Sequence, residues 1–210
     1  TRALYHLNEN TSTVANDETN AYDGTINGAQ WVAGKYCSGL KFDGNDDNLY
    51  NDAVFDTVPS DNTIDFWFKP DITLDEYYVG PPTQYFFEIG GGSGKAITAR
   101  WDAGLNVLRF YIENNGFDVL DYVGTFNAGT WYHIAFSWGT EGMKIWVDGV
   151  LVNSNSITRN IDSNTGNVFA IGLTVPGTNW VFNGTIDEIH VSDIQRDYAP
   201  EGYEVDANTM

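Results

Sequence analysis

Several segments of the chain alternate apolar and polar residues with period two, the repeat of a half-buried β-strand. Over Thr63–Lys69, Ile64, Phe66 and Phe68 fall on one face, with Thr63, Asp65 and Trp67 on the other. Over Val107–Glu113, Leu108, Phe110 and Ile112 oppose Arg109, Tyr111 and Glu113. Over Trp131–Trp138, Tyr132, Ile134, Phe136 and Trp138 alternate with His133, Ala135 and Ser137. Over Met143–Asp148, Met143, Ile145 and Val147 oppose Lys144, Trp146 and Asp148. Shorter runs predict further strands at Ala3–Leu7, Gly39–Phe42, Tyr85–Ile89, Ala96–Trp101, Val168–Leu173 and Thr185–Val191. Asp148-Gly149, between Lys144–Val147 and Val150–Asn153, predicts a hairpin, because both residues tolerate positive φ. No long stretch has helical periodicity, and a single short helical turn is expected near Ile194–Tyr198. So many strands along one length of chain predict an all-β fold of two packed sheets.

Composition strengthens this picture. Aromatic residues make up 15% of the 210 residues, and the 22 glycines separate the strand-forming runs. The 10 basic residues stand against 29 acidic ones, a net charge of −19. Such a surface is repelled by phosphate backbones and anionic lipid, which argues against nucleic-acid binding. No apolar run is long enough for a transmembrane helix, so membrane insertion is not expected. Cys37 is the single cysteine, so no intrachain disulfide can form and no cysteine-based zinc site is expected. The chain begins at Thr1 rather than Met, as expected of a processed product or a piece of a longer polypeptide.

Catalytic patterns are weak. Gly90-Gly91-Gly92-Ser93-Gly94-Lys95 puts Ala96 where a phosphate loop needs a hydroxyl, and it predicts a hairpin tip instead. Retaining glycosidases need two carboxyl groups about 5 Å apart. Glu88 has no acidic partner along its strand, and Asp187-Glu188 places neighbouring carboxylates on opposite faces. His6, His133 and His190 are dispersed over three predicted strands. Asp71–Thr83, rich in Tyr and Pro, predicts a long surface loop of the kind that carries function. Aromatic platforms for a sugar are expected at Tyr77, Tyr78, Tyr85, Trp101 and Tyr111. A tyrosine-rich loop suits protein recognition equally well.

The order of several blocks resembles the laminin-G-like branch of the concanavalin-A-like lectin/glucanase superfamily. These blocks are Ala3–Glu9, Gly39–Asp47, Thr63–Pro70, Trp131–Ala135, Ile145–Gly149 and Phe182–Ile189, together with the polar loop from Ala15 to Thr25. The resemblance implies an antiparallel β-sandwich, a jelly roll of two curved sheets, over residues 1–199, with 200–210 as an acidic tail or linker. It implies that the first and last strands pair. It also implies one structural calcium, with Asp17 and Asp187 as ligands and Asn20 and Asp23 supplying further oxygens. A second acidic group, Asp43, Asp46, Asp47 and Asp52, reads as a turn with solvated charges. The implied function is a non-catalytic binding module for carbohydrate or another cell-surface ligand, located extracellularly, on a cell surface or on a virion. A structural protein that uses the sandwich to contact neighbouring protein chains is the alternative, and a glycoside hydrolase is less favoured.

Overall fold

A computed structural model describes residues 1–77, 83–92, 94–163, 166–173 and 181–198. In chain order the strands are β1 (Ala3–Tyr5), β2 (Val14–Ala15), β3 (Gly24–Asn27), β4 (Gln30–Ala33), β5 (Ser38–Asp43), β6 (Asn48–Asn51), β7 (Asn62–Pro70) and β8 (Gln84–Gly92). They continue with β9 (Lys95–Asp102), β10 (Val107–Asn114), β11 (Phe117–Tyr122), β12 (Tyr132–Trp138), β13 (Lys144–Val147), β14 (Val150–Ser154), β15 (Val168–Ile171) and β16 (Asn183–Ser192). No helix occurs among the described residues, and the turn expected near Ile194–Tyr198 is instead irregular chain.

Two eight-stranded antiparallel sheets form a jelly-roll sandwich. The first runs β14-β13-β12-β7-β16-β5-β4, with β1 also paired to β16. The second runs β11-β10-β9-β8-β15-β6-β3-β2. The long last strand closes the first sheet: Ala3 lies opposite Val191, and Ile186 lies opposite both Leu40 and Phe68. First and last strands therefore pair as expected.

The period-two pattern explains which side faces in. Ile64, Phe66 and Phe68 of β7 meet Leu108, Phe110 and Ile112 of β10 in one core, all without solvent exposure. Phe68 sits among rings, 5.0 Å from Phe86, 5.2 Å from Phe126 and 5.8 Å from Tyr132, centroid to centroid. Such pairs add about 0.5–1.5 kcal/mol each beyond area burial.

The outward face of the first sheet is partly covered by its own chain. After β16, residues 193–198 cross it as a strap whose six members each have a partner. Asp193 pairs with Arg2, the Ile194 carbonyl accepts from Thr63, and Gln195 donates to Gly142. Arg196 donates to Thr63 and Ser192, Asp197 pairs with Lys144, and Tyr198 donates to Asp65 at 2.6 Å. The strap buries Asp65 completely and packs Tyr198 on Ala135 and Trp146.

Candidate functional site

Across the second sheet, strand register aligns outward-facing residues in rows. One row places Tyr85 of β8 beside Arg100 of β9, Arg109 of β10 and Asp121 of β11. The next places Glu88, Thr98, Tyr111 and Val119 side by side. These positions alternate with Ile97, Ala99 and Trp101, or with Leu108, Phe110 and Ile112, which enter the core.

Arg100 organises this face. Its guanidinium lies 5.4 Å from the Tyr85 ring centre and 5.0 Å from that of Tyr111. It donates to Tyr85 Oη at 2.6 Å and to Asp102 Oδ2 at 2.9 Å. Arg109 bridges Asp102 at 3.3 Å and Asp121 at 2.8 Å. The face thus carries two phenol rings and a chain of alternating charges. Burial raises the Tyr85 pKa above its ordinary value, with the nearby Tyr111 phenol adding to the rise, so the phenol stays neutral. Burial opposes the Arg100 charge, but Tyr85 and Asp102 outweigh it and raise the guanidinium pKa. Thr98 Oγ1 and Arg100 Nε are buried polar atoms without a hydrogen-bond partner among the described residues. Such atoms carry a cost that a ligand hydroxyl or a water would relieve.

Of the aromatic residues expected to bind a ligand, the structure brings together Tyr85 and Tyr111, but Tyr85 needs a correction: it is buried, its hydroxyl held by Arg100, so of the two only the half-buried Tyr111 ring reaches the surface. Tyr77 is highly exposed in the loop after β7, and the neighbouring Glu76 carbonyl accepts from Asn106 in the β9–β10 turn. Tyr78 lies outside the described residues. Trp101 requires a correction. It points into the core with no exposure, edge-on to Phe126 at 6.2 Å, so it cannot be a platform on the surface. Arg100, Arg109, Asp102 and Thr98 were not foreseen.

The carboxylates expected to hold calcium do not fit that task. Asp17 Oδ1 accepts from the N–H groups of Leu4 and Thr19, and Oδ2 accepts from Thr19 Oγ1 and the N–H groups of Ala21 and Tyr22. Burial works to raise its pKa, but these donors prevail and lower it. Its lone pairs are already spent on shaping the loop. Asp23 Oδ1 accepts from Asp17 N at 2.9 Å, and the exposed Asn20 donates to the Glu18 carbonyl. Asp187 Oδ2 accepts from Lys35 N at 2.8 Å and Tyr36 N at 2.9 Å, while Oδ1 accepts from Glu188 N at 2.9 Å. Burial pushes the Asp187 carboxyl up to about 7 despite those bonds. Asp17, in the β2–β3 loop, and Asp187, in β16, thus each serve as acceptors for backbone N–H groups. Among the described residues the acidic groups that converge are Asp43, Asp46 and Asp47, where Asp47 Oδ2 accepts from Asp43 N and caps the turn.

Two histidines that look dispersed in sequence meet on the first sheet. His133 Nε2 is 3.3 Å and His190 Nδ1 is 3.5 Å from the Asp65 carboxylate. Burial tends to raise the Asp65 pKa, but the His133 hydrogen bond and both imidazoles bring it below the ordinary value. The third, His6, lies 2.7 Å from Glu188.

The chain belongs to the concanavalin A-like lectin/glucanase superfamily, whose laminin-G family model matches residues 42–198. A search of curated proteins finds no match. Solved structures share the fold at low identity. Domain 4 of AbnA, an extracellular arabinanase from Geobacillus stearothermophilus, solved with arabinotriose, superposes with TM-score 0.68 at 18% identity over 90% of each chain. Trypanosoma rangeli sialidase gives TM-score 0.67 at 14% identity over 94% of this chain and 31% of its own. The binding domain of botulinum neurotoxin serotype D/C gives 0.66 at 13% identity over 93% of this chain and 49% of its own. The chain therefore spans about a third of that sialidase and half of that toxin domain structure.

Proposed function

We propose that this superfamily member is a non-catalytic carbohydrate-binding module whose glycan lies on the outward face of the second sheet, against Arg100 and Tyr111, with Tyr85 buried behind them. One observation carries the reading: on the outward face of the second sheet the buried Tyr85 ring and the half-buried Tyr111 ring flank a guanidinium, next to ion-paired carboxylates. A sugar offers an apolar C–H face and a rim of hydroxyls. The half-buried Tyr111 ring suits the first, and Arg109, Asp102 and Asp121 offer fixed donors and acceptors for the second. Arginine and carboxylate held in mutual pairs need little reordering on binding, which lowers its entropic cost. The arabinotriose in the arabinanase domain supports a glycan ligand for this fold, and that enzyme's extracellular setting supports a secreted location. A glycan array followed by titration tests the proposal. Tyr111→Ala should weaken the best glycan by tenfold or more while the melting temperature shifts little. Unchanged affinity in this variant would refute the site.

A second reading, protein assembly, has an observation of its own. Phe117 on edge strand β11 and Val123 just beyond it are each 72% exposed, and Val150 and Leu151 on edge strand β14 are also exposed. The two edges approach each other, with Asn153 Nδ2 donating to the Asp121 carbonyl at 2.6 Å. Sedimentation of the chain against a Phe117→Ser/Val150→Ser variant decides this reading. Association that is lost in the variant supports it, and a monomeric parent at high concentration removes it.

A further inference from the structure

The opposite side of the sandwich carries a feature that the glycan site does not use. Of the 10 basic residues, Lys35, Lys69 and Arg196 alone lack a carboxylate within ion-pairing distance among the described residues. Arg196 is occupied by Ser192 beneath the strap. The two lysines lie on the same outward face of the first sheet, each over an indole. Lys35 Nζ is 4.0 Å from the Trp67 ring centre, and Lys69 Nζ is 4.9 Å from that of Trp131.

Register sets the rows of the sheet beneath them, with Trp67, under Lys35, two residues from Lys69 on β7. Lys69, Thr185 and Lys41 form one row across β7, β16 and β5, and Trp67 and Asp187 occupy the next row. Rows two residues apart are about 7 Å apart, and the outer two of three adjacent strands are about 10 Å apart. The patch is thus the size of one or two sugar rings. Lys41 is already paired with Asp71, which leaves Lys35 and Lys69 as the uncompensated charges.

The patch is also held in shape from below. Lys35 and Tyr36 belong to the β4–β5 turn, and their backbone N–H groups are the ones that the buried Asp187 carboxylate accepts. The Tyr36 ring meets Trp67 edge-on at 6.3 Å. Two ammonium groups are therefore fixed over aromatic surface rather than left to sample solvent.

We propose that this face binds an acidic sugar unit within a short glycan, its carboxylate or sulfate between Lys35 and Lys69 and its ring against Trp131. Charge complementarity chooses the occupant, because a neutral sugar would leave both ammonium groups without a counter-charge. The net charge of −19 limits its length, because a long polyanion would meet repulsion beyond the patch. The site is independent of the one on the second sheet.

The test is calorimetric titration of the full chain at low salt with trigalacturonate, its neutral methyl ester and a sulfated galactose trisaccharide. The first, the third or both should bind, with affinity falling at least fivefold between low and physiological salt, and the ester should not. A preference between the first and third identifies carboxylate or sulfate as the anion. Lys69→Ala and Lys35→Ala should each lower affinity by threefold to tenfold with unchanged melting temperature. Lys95→Ala, which removes a lysine paired with Asp162 elsewhere, should leave affinity unchanged. Tyr111→Ala should also leave it unchanged, which separates this site from the first. Absence of binding by both acidic ligands, equal binding of the ester, or loss in Tyr111→Ala but not in the lysine variants would overturn the proposal.

Discussion

Replacing Asp187 by Asn should reverse its effect on stability as pH changes. The carboxyl has no solvent exposure and accepts three backbone N–H groups, yet burial lifts its pKa from 3.8 to about 7. In the unfolded chain it ionises near its ordinary value. Between those limits the folded chain holds a proton that the unfolded chain has lost, so this group's contribution is most favourable below about pH 4. It then falls as pH rises through 7, by about 4 kcal/mol in all at about 1.4 kcal/mol per pH unit. Asparagine does not titrate and keeps one acceptor oxygen. Whichever way the amide points, at least one of the N–H groups of Lys35, Tyr36 and Glu188 loses its acceptor, at about 1–3 kcal/mol. Below about pH 4, where the carboxyl is protonated in both states, Asp187→Asn should therefore destabilise by about 1–3 kcal/mol, and at pH 5, where the contribution of Asp187 has already fallen by about 1.5 kcal/mol, the two proteins should lie within about 1.5 kcal/mol of each other. At pH 8.5, relief of the buried charge should exceed that loss and make the variant the more stable by about 1–3 kcal/mol. Urea unfolding of both proteins at pH 5, 6.5 and 8.5, followed by tryptophan fluorescence, measures the difference directly. A difference independent of pH would refute the assigned burial cost. One that grows more destabilising with pH would mean that the anion is stabilised, and a parallel loss of melting temperature on adding a calcium chelator would restore the metal as its partner.

The remaining expectations concern the core and the strap. Phe68→Ala should cost about 3–5 kcal/mol in equilibrium unfolding, because four rings pack around that position and none can collapse into it; a cost under 1 kcal/mol would contradict the packing. His190 has its pKa lowered, first by burial, so the unfolded chain takes up its proton more readily and stability from this group falls as pH drops through the ordinary value of 6.5. His190→Gln should flatten the fall in melting temperature between pH 7 and 5, and an unchanged slope would count against it. Gly142→Ala should destabilise by more than 2 kcal/mol, since φ is +92° there and a Cβ would lie 1.9 Å from the Asn155 carbonyl oxygen; a thermal melt reads this directly.

Strands were legible where one face enters the core and the other does not. β7, β10 and β12 lie within a residue or so of their expected bounds, because burial of one face fixes parity along the whole run. β2, β3, β4, β6 and β11 were not foreseen. They are short, and β2, β4 and β11 lie at sheet edges where little apolar surface is buried. β3 and β6 are polar on alternate positions, with Asn27, Asn48 and Asn51 looking like turn residues until a neighbouring strand pairs with them. The expected helical turn failed because residues 193–198 take their bonds from Thr63, Gly142, Lys144 and Asp65, all distant in sequence, instead of from one another. The convergence of His133 and His190 on Asp65 escaped notice for the same reason, since register between β7, β12 and β16 is invisible in any one segment.

Parity also explains which part of the candidate glycan site could be read. In β9, Ile97, Ala99 and Trp101 share a face with one another, and Thr98, Arg100 and Asp102 share the other. An outward Arg100 and an outward Trp101 are incompatible in a regular strand, so the same alternation that named the strand already placed Trp101 in the core. The tyrosines obey the rule: Tyr111 follows Arg109 at a spacing of two on β10, and β10 and β9 pair with Arg109 opposite Arg100. That register could not be deduced from either segment alone. It joins two expected tyrosines, Tyr85 and Tyr111, to Arg100, which the sequence did not single out, in one stacked group. Aromatic content therefore supplies the candidates, strand parity eliminates the inward-facing ones, and only cross-strand pairing shows that Arg100 lies between Tyr85 and Tyr111.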